Sequence, residues 1–262
     1  MALLIIVIVI VALFQLGLFN SSNTAPHAVA GACQVVRTVA AISLEGQCNN
    51  VQPKYVAQFS GQGSSYIQMP NAQQLQLSTL TVSGWVYYMG PATGTWDWMV
   101  AKQGAWGVGV CNGNLVACYY DWGSSRAYDS ATALNPNTWY FLAAVISGGT
   151  ETVYLDGSNI LSGTLTVSSQ STTGLQIGYG NCCGQLLNGL ASNIQIYNTS
   201  MDANSITALY LEGIGGAPIS PQHLVAWWPL NGDMNDYSGN DNGGVSTSIS
   251  YTSSWSSGYA QP

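Results

Sequence analysis

Residues Ala2 to Phe19 are apolar almost without a break, with only Gln15 and Gly17 interrupting them and no charge among them. As a helix, these 18 residues reach roughly 27 Å, close to the thickness of a bilayer core. Ile and Val dominate Ile5 to Val11. Helix propensity alone would not favour them, but a low-dielectric setting obliges the backbone to pair with itself and enforces the helix. Leu3, Ile5, Ile8, Val11, Phe14 and Phe19 are the side chains such a helix offers for packing. No Lys or Arg precedes the run, so a processed or truncated amino terminus is expected. The division expected is a hydrophobic helix over 1–20, a spacer with a cysteine-bearing loop over 21–53, and a large domain over 54–262.

Beyond Lys54 the apolar positions recur at every second residue instead. Tyr55–Phe59, Ser65–Met69, Leu80–Tyr87, Met99–Lys102, Gly107–Cys111, Leu115–Tyr120, Trp139–Ile146, Glu151–Leu155, Ile160–Val167, Leu175–Tyr179 and Leu190–Tyr197 read as strands. Gly, Asn and Pro separate them, and Asp156-Gly157 makes a hairpin turn. Many short strands at close spacing predict an antiparallel sandwich or barrel. A single short helix near 202–212 interrupts them, with Asp202 as N-cap, Ile206, Leu209 and Tyr210 on one face, and Gly213 at the carboxyl end.

Composition changes the picture in two ways. Charged residues are only 6% of the chain and the net charge is −7, with Arg37, Lys54, Lys102 and Arg126 the whole basic complement. Nucleic acid is thereby excluded as a partner, because phosphate binding needs clustered cations. High aromatic and β-branched content argues against disorder, so the polarity comes from amides and hydroxyls, as suits an exported surface protein. Cys33 and Cys48 bracket a short loop, Cys111 and Cys118 flank the turn Asn112-Gly113-Asn114, and Cys182 and Cys183 are adjacent. Disulfides are expected, in a connectivity the sequence does not select. Zinc is disfavoured by the spacing and by the distance of His27 and His223 from each pair. Sequons at Asn20 and Asn198 are candidate glycosylation sites.

A naked apolar helix followed by a β-rich domain, with Ala12-Leu-Phe-Gln-Leu-Gly-Leu-Phe-Asn20 as the local match, resembles an archaeal type IV pilin. That resemblance implies a helix bundled with identical subunits in a filament core, and a membrane-inserted state before assembly. A second resemblance covers roughly three quarters of the chain. Tyr55-Val-Ala-Gln-Phe-Ser-Gly61, Tyr66-Ile-Gln-Met-Pro70, Leu80-Thr-Val-Ser-Gly-Trp-Val86, Val153-Tyr-Leu-Asp-Gly157 and Asn188-Gly-Leu-Ala-Ser-Asn-Ile-Gln-Ile-Tyr-Asn198 resemble a laminin G-like domain of the concanavalin A-like lectin/glucanase superfamily. It implies a jelly roll of two packed antiparallel sheets. The segment Leu224 to Gly232, with Asn235 to Gly243, resembles the start of such a domain yet comes last. A circular permutation is therefore expected, with Val225–Leu230 an integral strand pairing back beside Tyr55–Phe59 and 222–262 contributing to the single domain.

Three chemistries remain. Catalysis is disfavoured, because Glu45, Glu151 and Glu212 are scattered where a glycosidase needs converging carboxylates. Asp233, Asp236, Asn240, Asp241 and Asn242 crowd one turn and are candidate calcium ligands, set against simple turn geometry; no cofactor is otherwise required. Trp96, Tyr120 and Trp122, near Asp97 and Arg126, are candidate sugar contacts, since sugar rings stack on aromatic faces and their hydroxyls seek hydrogen bonds. The function expected is that of an extracellular filament subunit displaying a sandwich that adheres to glycans or surfaces. A membrane-anchored lectin that never polymerises is the first alternative, and a carbohydrate-active enzyme the second.

Overall fold

The computed structural model describes residues 52–90, 96–111, 116–121, 126–164, 173–180, 185–246 and 248–262, with the backbone alone at 111, 116–121 and 126–132. The apolar run Ala2 to Phe19, the spacer, Cys33, Cys48, Cys182, Cys183, Asn20, Glu45 and Trp122 lie outside the described residues. Among those described, no helix is long and apolar enough to cross a membrane.

Two antiparallel sheets form the body. The first runs β10 (Ser158–Thr164), β9 (Thr150–Leu155), β8 (Thr138–Ser147), β3 (Leu80–Tyr88), β12 (Asn188–Tyr197), β1 (Val56–Ser60) and β15 (Ser250–Thr252), with β13 (Leu224–Trp228) also on β12. The second runs β14 (Val245–Ser246), β2 (Ile67–Gln68), β11 (Leu175–Ile177), β4 (Trp96–Lys102), β5 (Trp106–Cys111), β6 (Val116–Asp121) and β7 (Arg126–Ala133). Alternation along the strands sends Val82, Val86, Tyr88, Val100, Val108, Val110, Leu142, Ala144, Leu175 and Ile177 into one core between the sheets. The opposite positions of the first sheet build a second core: Trp85, Tyr87, Trp139, Phe141 and Tyr154 pack with helix α1 (Ala203–Leu211) and with Trp255. Both faces of the first sheet are thus covered, which leaves the outer face of the second as the place to look for a site.

Local chemistry explains the ends of elements. Asp202 accepts a hydrogen bond from the Ser205 N–H and caps α1, and Gly213 follows at φ 77°. Asp156 (φ 48°) and Gly157 (φ 76°) both take the left-handed conformation that a tight hairpin between β9 and β10 requires. Strand β7 was not predicted. Its sequence, RAYDSATA, has no large aliphatic alternation to reveal it.

The carboxyl-terminal segment corrects one expectation. Val225–Leu230 does not pair beside Tyr55–Phe59. Instead β13 and β1 occupy the same edge of β12, end to end: Trp228 lies opposite Ile194 and Leu224 opposite Tyr197, while Ala57 lies opposite Ala191 and Ser60 opposite Asn188. Together they act as one strand built from opposite ends of the described chain. At the handover the Leu230 backbone turns to φ 58° and the Asn231 side chain accepts the Tyr55 N–H at 2.8 Å. The strand that does lie beside β1 is β15, with Ala57 opposite Tyr251.

Candidate functional site

Trp96 and Trp98 open β4, so Trp96 is a strand residue. Gly109, opposite Trp98, leaves room for the two strands to approach closely: a Cβ there would fall 2.3 Å from the Asp97 carbonyl oxygen. The register slips between Trp98 and Val100, so Met99 and Val100 both enter the core. That slip keeps Trp96 and Trp98 on the outer face, stacked at 5.4 Å and 10°. Asp97, between them, turns inward and is buried. It adds to the burial that pushes the Tyr88 hydroxyl well above the ordinary phenol range.

The neighbouring strand makes a matching step. Ile177 is a core residue, and a Cβ on Gly178 would fall 2.4 Å from the Phe59 ring, so two successive positions of the chain face inward. Tyr179 is thereby turned outward, where it meets Tyr66 at 4.9 Å between ring centroids. Tyr66 precedes β2, Tyr179 follows β11 and Trp96 begins β4, so antiparallel pairing gathers all of them at one end of the second sheet. Trp96, Tyr66 and Tyr179 are half-buried, whereas Trp98 is sealed beneath them. Its indole N–H donates to Gln185 Oε1 at 2.9 Å, and Gly180 packs against it so closely that a Cβ would fall 2.2 Å from Nε1.

Further along the same face, one row of register positions crosses the sheet: Val245, Gln68, Gln176, Ala101, Gly107, Tyr120 and Ala127. Tyr120 therefore belongs to this face by backbone position. Gln176 donates to Gln68 Oε1 at 2.7 Å, and its own Oε1 is buried without a hydrogen-bond partner. Ala101, Gly107 and Gln176 are all buried, so among the described side chains the accessible aromatic surface of this face is at the end of the sheet. Two rigid ring pairs with amides close by suit a ligand that has a flat C–H face and many hydroxyls. Sequence reading singled out the Trp96-Asp97-Trp98 cluster, with Trp96 as the contact, and passed over Tyr66 and Tyr179. Their signal is the paired slip at Met99-Val100 and Ile177-Gly178, which strict alternation conceals.

The candidate calcium residues are placed differently. Asp236 Oδ1 accepts the N–H groups of Trp227 (3.0 Å) and Ser238 (2.8 Å), and its Oδ2 accepts Ser238 Oγ, Asn242 N–H and Asn242 Nδ2, each at 2.9 Å. Five donors saturate the carboxylate. Asn242 is fully buried, with Nδ2 also donating to the Val225 carbonyl, and Asn240 donates to the carbonyls of Leu224 and Val225. Asp233 accepts the Asn235 N–H and the Tyr237 hydroxyl, while exposed Asp241 takes φ 57°. Amide, hydroxyl and backbone donors converge on Asp236 and occupy its lone pairs, so as placed this carboxylate ties the loop together. Among the described residues no group of three or more His, Cys, Asp and Glu gathers as a metal site.

Other candidates are scattered. Glu151 is buried in β9 and Glu212 caps the end of α1. The backbone pairs Cys111 with Val116 and Cys118 with Gly109 on adjacent strands; their side chains lie outside the description. Asn198 is exposed at the end of β12, near His223.

A family model described as the concanavalin A-like lectin/glucanases superfamily, for laminin G domains, matches residues 61–207. No curated protein matches the chain. Among solved structures, a Bacteroides ovatus protein provisionally assigned as carbohydrate binding is 13% identical at a TM-score of 0.62, covering 77% of this chain and 60% of its own. The chain thus spans about three fifths of that protein's length. A native heptameric pentraxin of Limulus polyphemus is 15% identical at a TM-score of 0.47, covering 61% of this chain and 83% of its own. The sialidase carbohydrate-binding domain of Ruminococcus gnavus, bound to sialyllactose, is 11% identical at 0.47, covering 56% and 92%. Folded as two packed antiparallel sheets and matched over more than half its sequence, the chain belongs to the laminin G-like branch of the concanavalin A-like lectin/glucanases superfamily.

Proposed function

We propose that the sandwich is a non-catalytic glycan-binding module whose contact end is formed by Trp96, Tyr66 and Tyr179. The observation that carries this reading is the two ring pairs at one end of the sheet, Trp96 stacked on buried Trp98 and Tyr66 tilted against Tyr179, with Trp96, Tyr66 and Tyr179 half-buried. The fold shared with the Bacteroides ovatus protein, provisionally assigned as carbohydrate binding, supports the same class. Titration calorimetry of the chain against neutral trisaccharides tests it. Replacing Trp96 by Ala is expected to weaken binding by about tenfold, the loss of roughly 1.4 kcal/mol of stacking, and an unchanged affinity would overturn this assignment of the contact end. Since the Asp236 loop is closed by its own hydrogen bonds, binding is expected to survive a calcium chelator, and its loss on chelation would contradict that view of the loop.

The finer reading is a subunit of an extracellular type IV pilus-like filament. It is supported by the apolar run Ala2 to Phe19, in which Leu3, Ile5, Ile8, Val11, Phe14 and Phe19 would pack against identical subunits after leaving the membrane. The same run also favours a membrane-anchored lectin that never polymerises. Electron microscopy of cell-surface material decides between them: helical filaments support the subunit, and isolated particles that need detergent support the anchor.

A further inference from the structure

Trp227 and Tyr237 form a second aromatic corner, on the carboxyl-terminal segment and outside the residues 61–207 matched to the family. Their rings stand edge to face, 6.1 Å apart at 66°. Tyr237 is 47% exposed, which is unusual for so large a ring among the described residues, and it is nonetheless fixed. Its N–H donates to the Trp227 carbonyl at 2.8 Å and its hydroxyl to Asp233 Oδ2 at 2.9 Å. Trp227 is fixed as well. Its indole N–H donates to Asn193 Oδ1 at 2.8 Å, and Asn193 is buried and anchored in turn to the Gly216 carbonyl. An exposed ring held from both ends loses little conformational freedom when something stacks on it, which is the condition for useful weak binding.

We infer that this corner is a second carbohydrate subsite, taking a neutral sugar ring on the exposed face of Tyr237 with its hydroxyls on Asp233 and Asn235. The inference rests on the glycan-binding reading above. Asn235 is exposed and its backbone N–H donates to Asp233 Oδ1, and Asp233 keeps acceptor capacity beyond its two bonds. Charge sets the class. Asp233 and Asp236 repel a sugar carboxylate. Among the described residues Lys102 is buried against Asn71 and Thr173, Lys54 lies 5.0 Å over the Tyr55 ring, and Arg126 begins β7 in the other sheet. An acidic sugar would need an Arg or Lys fork, and none of the described cations hydrogen-bonds to Asp233 or Tyr237.

The test uses the full chain in a detergent without a sugar headgroup, titrated calorimetrically with gluco-, galacto- and manno-configured neutral trisaccharides and with sialyllactose. Trp96→Ala should leave residual neutral-sugar binding. Adding Tyr237→Ala should weaken that residue by about tenfold, and Tyr237→Phe, which keeps the ring but loses the bond to Asp233, should weaken it less. Thermal melts of each variant report whether the fold is kept. If Trp96→Ala abolishes all binding, the second subsite is overturned and the proposed function stands. Binding unchanged by Trp96→Ala but lost with Tyr237→Ala overturns the first site and supports this one. No neutral-sugar binding in the unaltered chain overturns both, and Tyr237-dependent binding of sialyllactose overturns the ligand class.

Discussion

Asp236 shows how much one side chain can organise, because it accepts five hydrogen bonds and ties the 236–242 loop to β13. Replacing it by Ala would orphan buried donors, Asn242 among them, and is expected to cost roughly 2–4 kcal/mol in a denaturant titration. A negligible change would show that the loop is held some other way. Lys102 is the second informative residue. It is 1% exposed, its ammonium donates to Asn71 Oδ1 at 3.1 Å and to the Thr173 carbonyl at 3.2 Å, and burial pulls its pKa down to about 8. The unfolded chain restores a value near 10.4. Between those values the unfolded state binds more protons, so stability should rise with pH from about 8 to about 10. Above about 10 the sign reverses: burial raises the hydroxyls of Tyr88, Tyr197 and Tyr251, so the folded state keeps protons the unfolded state releases. Lys102→Met should flatten the rise and leave the alkaline fall, as urea midpoints measured across pH would report. At this scale Trp96 was legible as an aromatic set beside polar groups, and the crowding of Asp233 to Asn242 was visible too. Its meaning was not, because a carboxylate that gathers donors and one that awaits a cation share the same spacing.

Elements with strong alternation, such as β3, β8 and β12, were readable because both of their faces are buried or paired. The helix α1 was equally plain from its cap and its apolar face. What escaped were elements defined by their partners. β7 is polar and small in sequence, and β15 is three residues that exist only beside β1. The relation of β13 to β1 was half legible: its resemblance to an opening strand revealed that it was displaced, but not that the two would share one edge of β12. Trp255 makes the tail integral. It is 4% exposed, its carbonyl accepts the Trp139 indole N–H, and its own indole N–H donates to the Pro53 carbonyl across most of the chain. Trp255→Ala is therefore expected to cost roughly 3–5 kcal/mol, within the range for large buried aromatics. A loss below about 1 kcal/mol would mean the tail is peripheral.

For the whole molecule, the asymmetry between the two sheets is what points the proposed principal contact end to the second. The first sheet spends its outer face on α1 and Trp255, and the second keeps aromatic rings at one end. Four basic residues against eleven acidic ones point the ligand away from anions. The nine tryptophans make a direct test available. With the indole nitrogens labelled by ¹⁵N, each Trp gives one resonance, and a neutral trisaccharide can be titrated while all are watched. Glycan binding at the end of the second sheet requires the Trp96 and Trp98 signals to move with the ligand, with Trp227 following at its own midpoint. The signals of Trp85, Trp106, Trp139, Trp228 and Trp255, buried in the two cores, should stay still. A spectrum in which Trp96 and Trp98 do not move at saturating sugar would contradict the assignment of this end as the binding site.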